Sequence, residues 1–281
     1  MNLGVRAHDF GRLPAAELGR RIRAQGFTCV QLAPPKAIAG CDADAGGLTA
    51  EFAAQVRAAL AGEGIRIAVL GCYINLADPD AARRRAQLGR FKDYLALART
   101  FGCRVVGTET GSRNADYSFH PDNRGEEAFQ LVAAGVRELA AVAAAADAWV
   151  GIEGVERYVI SDVRRLRRLL DTVGSPHVQV ILDPVNLLSA ENHARQDDII
   201  REAFELLGDR IAILHAKDFV VEAAGIRSVL AGRGRLNYGL LMELVRARRP
   251  EIDVLMEDTE PATVGEGVRF LRGFFPAAPG A

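Results

Sequence analysis

WVGIEGVERYVISDVRRLRRLLDTVGSPHVQVILDPVNLL, residues 149–188, carries the unit on which the fold turns. A β-rich run, WVGIE at 149–153, leads into SDVRRLRRLLDTV, whose apolar residues recur at three- and four-residue spacing, and then into a second β-rich run, VQVILD at 178–183. Strand, amphipathic helix, strand is the order of a parallel β-α-β unit with a right-handed crossover. Outward from this stretch the same alternation is found eight times along the 281 residues. The other predicted strands are LGVRA at 3–7, TCVQLA at 28–33, IRIAVLG at 65–71, CRVVGTE at 103–109, IAILHAKD at 211–218 and IDVLMED at 252–258. Between them lie AAELGRRIRAQ, LTAEFAAQVRAALAG, the span from Asp80 to Thr100, the Ala-rich run from Glu126 to Ala146, DIIREAFELLG, YGLLMELVRAR and TVGEGVRFLRGF, all of helical period.

Eight such units suit closure into a single (β/α)8 barrel, and one barrel routinely occupies a chain of this length. An open, doubly wound sheet is the alternative, weakened because no GxGxxG follows the first strand. No linker rich in Pro, Gly or Ser divides the chain, so the barrel is expected over residues 1–275, with 276–281 as a frayed tail.

Apolar residues make up 49% and charged residues 25%, which suits a large buried core and excludes a disordered chain. Lys+Arg number 35 against Asp+Glu 36, a net charge of −1, so no overall field draws the protein to nucleic acid or an anionic bilayer. The opening MNLGVRAHDF has neither a basic nor an apolar leader segment and no later run has the length of a membrane span, so a cytoplasmic location is expected. Cys29, Cys41, Cys72 and Cys103 form no CxxC pair and are read as reduced, mostly buried thiols.

In a (β/α)8 barrel the working residues stand where strands end, because those ends converge on one face. Strand five ends in Glu153, strand six in Asp183, strand seven carries His215 and Lys217, and strand eight ends in Glu257. Carboxylates gathered in a semi-enclosed pocket repel one another and lose solvation, so a positive charge is expected among them. Three carboxylates and an imidazole form a hard, oxygen-rich set; one divalent ion is predicted, Mn²⁺ first, with Mg²⁺, Co²⁺ or Zn²⁺ able to substitute. Simpler roles stand beside this one. Glu153 would cap a helix, Asp183 would start a turn before Pro184, His215 would be a hydrogen-bonded core histidine, Asp258 would replace Glu257 after a slip of one residue, and Lys217 would pair with Asp218 at the surface.

Glu153 in GIEGVERYVI, Asp183 in LDPVNLL, His215 in LHAKDFVV and Glu257 in LMED together resemble the sugar phosphate isomerase/epimerase family. These are xylose isomerase-like barrels that include tagatose 3-epimerase, inosose isomerase and hydroxypyruvate isomerase, and the likeness runs over nearly the whole chain. The resemblance implies that the matching four residues bind one metal ion, and that Glu153 and Glu257 act as acid and base on a small sugar, sugar phosphate or inosose, through an enediolate. The substrate partner is then a small carbohydrate or polyol; a homodimer and a homotetramer are both left open. Two positions depart from the epimerase pattern. Asn186 stands where relatives place a substrate-binding histidine, and Val159 where they carry a further glutamate, which weighs against a ketohexose 3-epimerase.

Further substrate contacts are predicted at the rim: His8, Tyr73, Glu109, Arg157, Asn186, Lys217 and, in the long polar loop after strand four, His120. Gln31, Lys36 and Asn75 are candidates of the same kind. The segment LAGRGRLNYG, 230–239, reads as the turn into helix seven; Arg233 and Arg235 within it offer an alternative, the binding of a phosphate or carboxylate. Three other functions fit the same scaffold. A dehydratase would begin with the same proton removal, a polyol-binding barrel would keep the pocket without turnover, and the three-metal endonuclease IV would need many more than the five histidines present.

Overall fold

The computed structural model describes residues 1–41 and 48–275. Eight parallel strands close into a barrel: β1 (Asn2–Arg6), β2 (Cys29–Leu32), β3 (Arg66–Gly71), β4 (Val105–Glu109), β5 (Trp149–Glu153), β6 (Val178–Leu182), β7 (Ile211–Ala216) and β10 (Asp253–Met256). Pairing of β10 with both β7 and β1 completes the ring. Each strand predicted from the sequence is present, with its ends moved by a residue or two.

The helices α1 (Ala15–Ala24), α3 (Ala50–Gly62), α4 (Ala81–Leu97), α5 (Glu126–Ala145), α6 (Val163–Val173), α7 (Gln196–Leu207), α8 (Tyr238–Arg248) and α9 (Val264–Arg272) alternate with the strands. A one-turn helix, α2 (Pro34–Ala37), follows β2. Side chains of Thr49, Asp80, Asp162 and Asn237 accept backbone N–H groups at the starts of α3, α4, α6 and α8, each cap contributing about 1 kcal/mol. α6 shows how patterning fixes the layer: Val163, Leu166, Leu169 and Leu170 are buried, while Arg164 and Arg168 reach across the surface to Glu202 and Glu126. The Ala-rich α5 is apolar and long enough by composition to cross a bilayer, yet much of it, including Phe129, Val132 and Val136, is buried in the core.

Inside the barrel a small layer of Cys29, Ala68, Val69, Val105, Ile181, Ile213 and Leu255 fills the axis. Glycine is required where Ile181 crosses it: a Cβ at Gly107 would lie 2.7 Å from Ile181 Cδ1, and one at Gly151 3.0 Å from the same atom. All four cysteines are buried, as expected for core thiols.

One element departs from the sequence reading. The run 211–218 is not a single strand: β7 ends at Ala216, and Asp218 opens an antiparallel hairpin, β8 (Asp218–Glu222) with β9 (Gly225–Val229). The apolar–polar alternation continues through Phe219 without a breaker, so no local signal marks the change of direction. Asp218 makes the junction. Its Oδ1 accepts the Phe219 and Leu236 N–H groups at 2.8 Å each, and its Oδ2 those of Gly232 and Gly234 at 3.1 and 3.0 Å. The expected tail, 276–281, lies outside the described residues.

Candidate functional site

Four strand ends build the site. Glu153 is the last residue of β5, Asp183 and Glu257 follow β6 and β10 directly, and His215 lies within β7. One ligand atom from each of these buried residues falls within 4.8 Å of every other. His215 Nδ1 is 3.4 Å from Glu153 Oε1 and 3.5 Å from Glu257 Oε1. The slip that would have put Asp258 in place of Glu257 does not occur. Asp258 instead meets Arg6 at 3.0 Å and the Ser228 hydroxyl at 2.5 Å.

The ring of His215 is oriented from behind. Its Nε2 lies 2.7 Å from Gln31 Oε1, and Gln31 Nε2 in turn faces the Tyr73 hydroxyl at 2.5 Å and Glu257 Oε1 at 3.5 Å. A carboxylate only accepts, so the Gln31 amine must face Glu257 and its carbonyl must face His215. Nε2 then carries a proton, and Nδ1 is the nitrogen that faces the carboxylates and would be free to bind a metal once its own proton is lost. Nδ1 is buried with no hydrogen-bond partner, whereas Asp183 Oδ2, equally buried, has an ion-pair partner in Lys217. A buried polar atom left without a partner is costly unless something other than a side chain completes it.

Asp183 performs both of the roles read from its sequence. Oδ1 accepts the Val185 and Asn186 N–H groups at 2.9 and 3.1 Å and so forms the turn, leaving Oδ2 directed at the cluster. Lys217 is not a surface residue paired with Asp218. It is buried, with Nζ 2.9 Å from Asp183 Oδ2 and 3.3 Å from Glu257 Oε2.

Mutual repulsion and burial govern the charges. Burial raises Asp183 to about 6 although Lys217 pulls it down. Burial also opposes the charge on His215, but Glu257 and Glu153 raise it to about 9. Glu257, although buried, is held down at about 2 by His215, Lys217 and Arg6. A cluster that draws a proton onto an interior imidazole is short of positive charge. Glu153, Asp183, His215 and Glu257 therefore fit a divalent ion, both by donor type and by the unsatisfied Nδ1 of His215.

Above the cluster a cleft of about 320 Å³ is lined by Glu153, Glu257, Lys217 and, of the predicted rim contacts, His8, Tyr73, Glu109, Arg157 and Asn186. Asn186 Nδ2 donates to Glu153 Oε1 at 2.6 Å. Glu109 lies opposite Glu153 in the β4–β5 register, and burial together with Glu153 and Glu257 raises it to about 7. Burial and the nearby Arg6 guanidinium lower His8 to about 4. Arg157 stacks 5.1 Å from the Tyr158 ring.

His120 does not reach the cleft, contrary to the sequence reading. The loop is folded onto itself: Asn123 Oδ1 accepts the Arg113 N–H, its Nδ2 donates to the Arg157 carbonyl, and His120 Nδ1 accepts the Asp122 N–H at 3.2 Å. Asn75 is likewise structural, bonded to Ser112 and Asn114. Arg233 pairs with Glu266 at 2.7 Å on the outer surface, and neither it nor Arg235 lines the cleft. Val159 sits in the apolar core. The sequence reading missed Arg6, which lines the cleft 3.8 Å from Glu257 Oε2. Its signal was a lone cation at the end of the first apolar strand.

Comparison with known proteins places this geometry among relatives. A D-psicose 3-epimerase from Enterocloster bolteae is 25% identical over 205 residues, covering 71% of this chain; the chain spans 62% of the length of that curated relative. The apo structure of 3-keto-D-glucoside 4-epimerase from E. coli superposes with a TM-score of 0.75 at 19% identity, covering 97% of this chain and 99% of that one. The IolI protein, solved with a bound zinc atom, gives 0.74 at 14% identity over 98% and 96% of the two chains. A family profile aligns from α1 through the end of α9, residues 20–274, and with it the chain belongs to the xylose isomerase-like TIM barrel family.

Proposed function

We propose that the protein is a divalent-metal-dependent isomerase or epimerase of a small sugar, sugar phosphate or inosose, which moves a proton at a carbon beside a carbonyl. The observation that carries this reading is the placement of two glutamates, Glu153 and Glu257, on either side of His215 Nδ1 at 3.4 and 3.5 Å, both also lining the cleft. Glu153, Asp183, His215 and Glu257 would hold the ion, with Mn²⁺ as the choice that best suits three carboxylates and one imidazole. When bound, such an ion acts as a Lewis acid that acidifies the C–H beside a carbonyl and balances the charge of the developing oxyanion.

The chain's own residues supply the rest. Glu257 is kept ionised by His215, Lys217 and Arg6, as a base that removes a carbon-bound proton must be. Glu153, on the other side, is oriented by the Asn186 amide and returns a proton to the opposite face or to the neighbouring carbon. Lys217 directs an ammonium at the same space and opposes build-up of negative charge on substrate oxygens. Tyr73, His8, Glu109, Arg157 and Asn186 form the wall against which the hydroxyl groups are placed.

The relatives support this chemistry. One is named as a psicose 3-epimerase, and another as acting at carbon 4 of a 3-keto glucoside, a carbon adjacent to a carbonyl. The test is solvent-deuterium exchange into a panel of ketoses, sugar phosphates and inososes by protein of measured metal content, with product analysis for lost water. Exchange with one ion per chain is expected. Wild-type exchange by Glu153→Gln or Glu257→Gln would overturn the acid/base pair.

A further inference from the structure

Next to the cleft lies a second lobe, a hollow of about 490 Å³ bounded by Arg12, Lys36, Cys72, Tyr73, Arg90 and Tyr94 among others. The two cavities are neighbours, with Lys36 and Tyr73 in the lining of both. Three cations face this lobe, and among the described residues no carboxylate lines it.

The two arginines are held differently from those of the ion pairs on this molecule. Arg6, Arg83, Arg124, Arg164 and Arg168 are each bonded to a carboxylate. Arg12 is held by carbonyl oxygens, its Nε by Ile38 at 3.2 Å and its Nη2 by Cys41 at 2.6 Å. Arg90 Nη2 donates to the Tyr73 carbonyl at 2.9 Å. Lys36 Nζ sits 4.8 Å from the centre of the Tyr73 ring. Carbonyl oxygens orient a guanidinium without neutralising it, and each guanidinium keeps donors beyond those used. Tyr73 joins the two lobes: its hydroxyl meets Gln31 behind the metal ligands, its ring faces Lys36 and its carbonyl holds Arg90. An anion seated here would be screened from the carboxylate cluster by that ring, and would find the positive charge that the cluster side reserves for its own acids.

Resting on the proposed function and narrowing its substrate class, we infer that the lobe between Arg12, Lys36 and Arg90 binds an anionic group, a phosphate or a carboxylate, carried by the substrate away from its reacting carbon. This places the anion handle on the β2–β3 side of the mouth and not at Arg233 and Arg235.

The test uses the metal-loaded protein and matched neutral and anionic probes: D-fructose with D-fructose 6-phosphate, and D-glucose with D-glucuronate, titrated by calorimetry. At least one anionic member should bind about tenfold more tightly than its neutral partner, the worth of one charge-assisted contact. A preference in the first pair identifies phosphate, and in the second carboxylate. Lys36→Glu and Arg12→Gln, both at exposed side chains that should not disturb folding, should bring the anion-to-neutral ratio close to one. A ratio near one in the wild type, no anionic sugar binding below about 1 mM, or a preference that survives in the Lys36→Glu/Arg12→Gln double variant would each overturn the inference. The two readings fail separately. Exchange of solvent deuterium into sugars without anion preference removes the handle alone, whereas charge-dependent anion preference without any exchange removes the isomerase and leaves the handle.

Discussion

Both mouths of the barrel are charged, and the larger cavity is at the wrong one. At the N-terminal mouth a hollow of about 550 Å³ is lined by Arg66, Arg104, Trp149, Asp253 and their neighbours; the cleft at the C-terminal mouth measures about 320 Å³. What separates them is how the charges are satisfied. Asp253 meets Arg66 at 2.6 Å and the Asn2 amide at 2.9 Å, and Asp147 meets Arg104 and Arg99, with the arginines open to water. At the other mouth Glu153, Asp183, His215 and Glu257 are buried, and His215 Nδ1 has no hydrogen-bond partner. Neither the number of charges nor the size of a hollow marks the working end; burial combined with an unfilled demand for positive charge does.

The contrast can be broken most directly at the two glutamates. Glu153→Gln and Glu257→Gln should each lower turnover by about a thousandfold, measured as solvent-deuterium exchange, because each removes a proton carrier while keeping the side-chain shape.

Next in size is Lys217→Met. Removing the ammonium that touches Asp183 and Glu257 leaves buried carboxylates uncompensated, so the metal-free protein should lose about 3–5 kcal/mol in denaturant unfolding. A divalent ion should restore most of it. Equal losses with and without the ion would show that Lys217 is only a packing residue.

Gln31→Leu should weaken the ion about 10- to 100-fold in a metal titration, because His215 Nε2 loses the acceptor that fixes its proton. In both proteins binding should weaken as pH falls below about 9, since the ion must displace the proton that Glu257 and Glu153 hold on His215.

Glu109→Gln should produce a smaller, pH-dependent gain. Glu109 titrates near 7 when folded and near its ordinary 4.5 when unfolded, so between those values the folded chain binds the extra proton. Its contribution therefore declines as pH rises through that window. The variant should melt higher than wild type at pH 8 in metal-free form, with the difference vanishing below about pH 4.

The smallest effect belongs to the opposite mouth. Arg66→Ala should cost less than about 1 kcal/mol, because it breaks an ion pair whose guanidinium is open to water, and it should leave deuterium exchange at the wild-type rate.

Much of this was legible in the linear chain, for identifiable reasons. The eight β-α alternations and the capping residues Thr49, Asp80, Asp162 and Asn237 act over a few neighbours, so periodicity reports them. Glu153, Asp183, His215 and Glu257 stand at or beside the ends of apolar strands, where a charge is conspicuous. The β8–β9 hairpin was not legible, because the anchors that Asp218 binds lie 14 to 18 residues downstream. Nor was the displacement of His120, which depends on Asn123 closing its own loop onto Arg157.

The sequence by itself determined that strands and helices take turns, and which polar side chains stand at strand ends, because both depend on spacing along the chain. Only the tertiary structure decided that Gln31 orients His215, that Lys217 turns inward to Asp183 and Glu257, and that Arg12, Lys36 and Arg90 share one lobe. Those outcomes depend on distances between residues as much as 184 positions apart, which closure of the barrel sets and local pattern does not record.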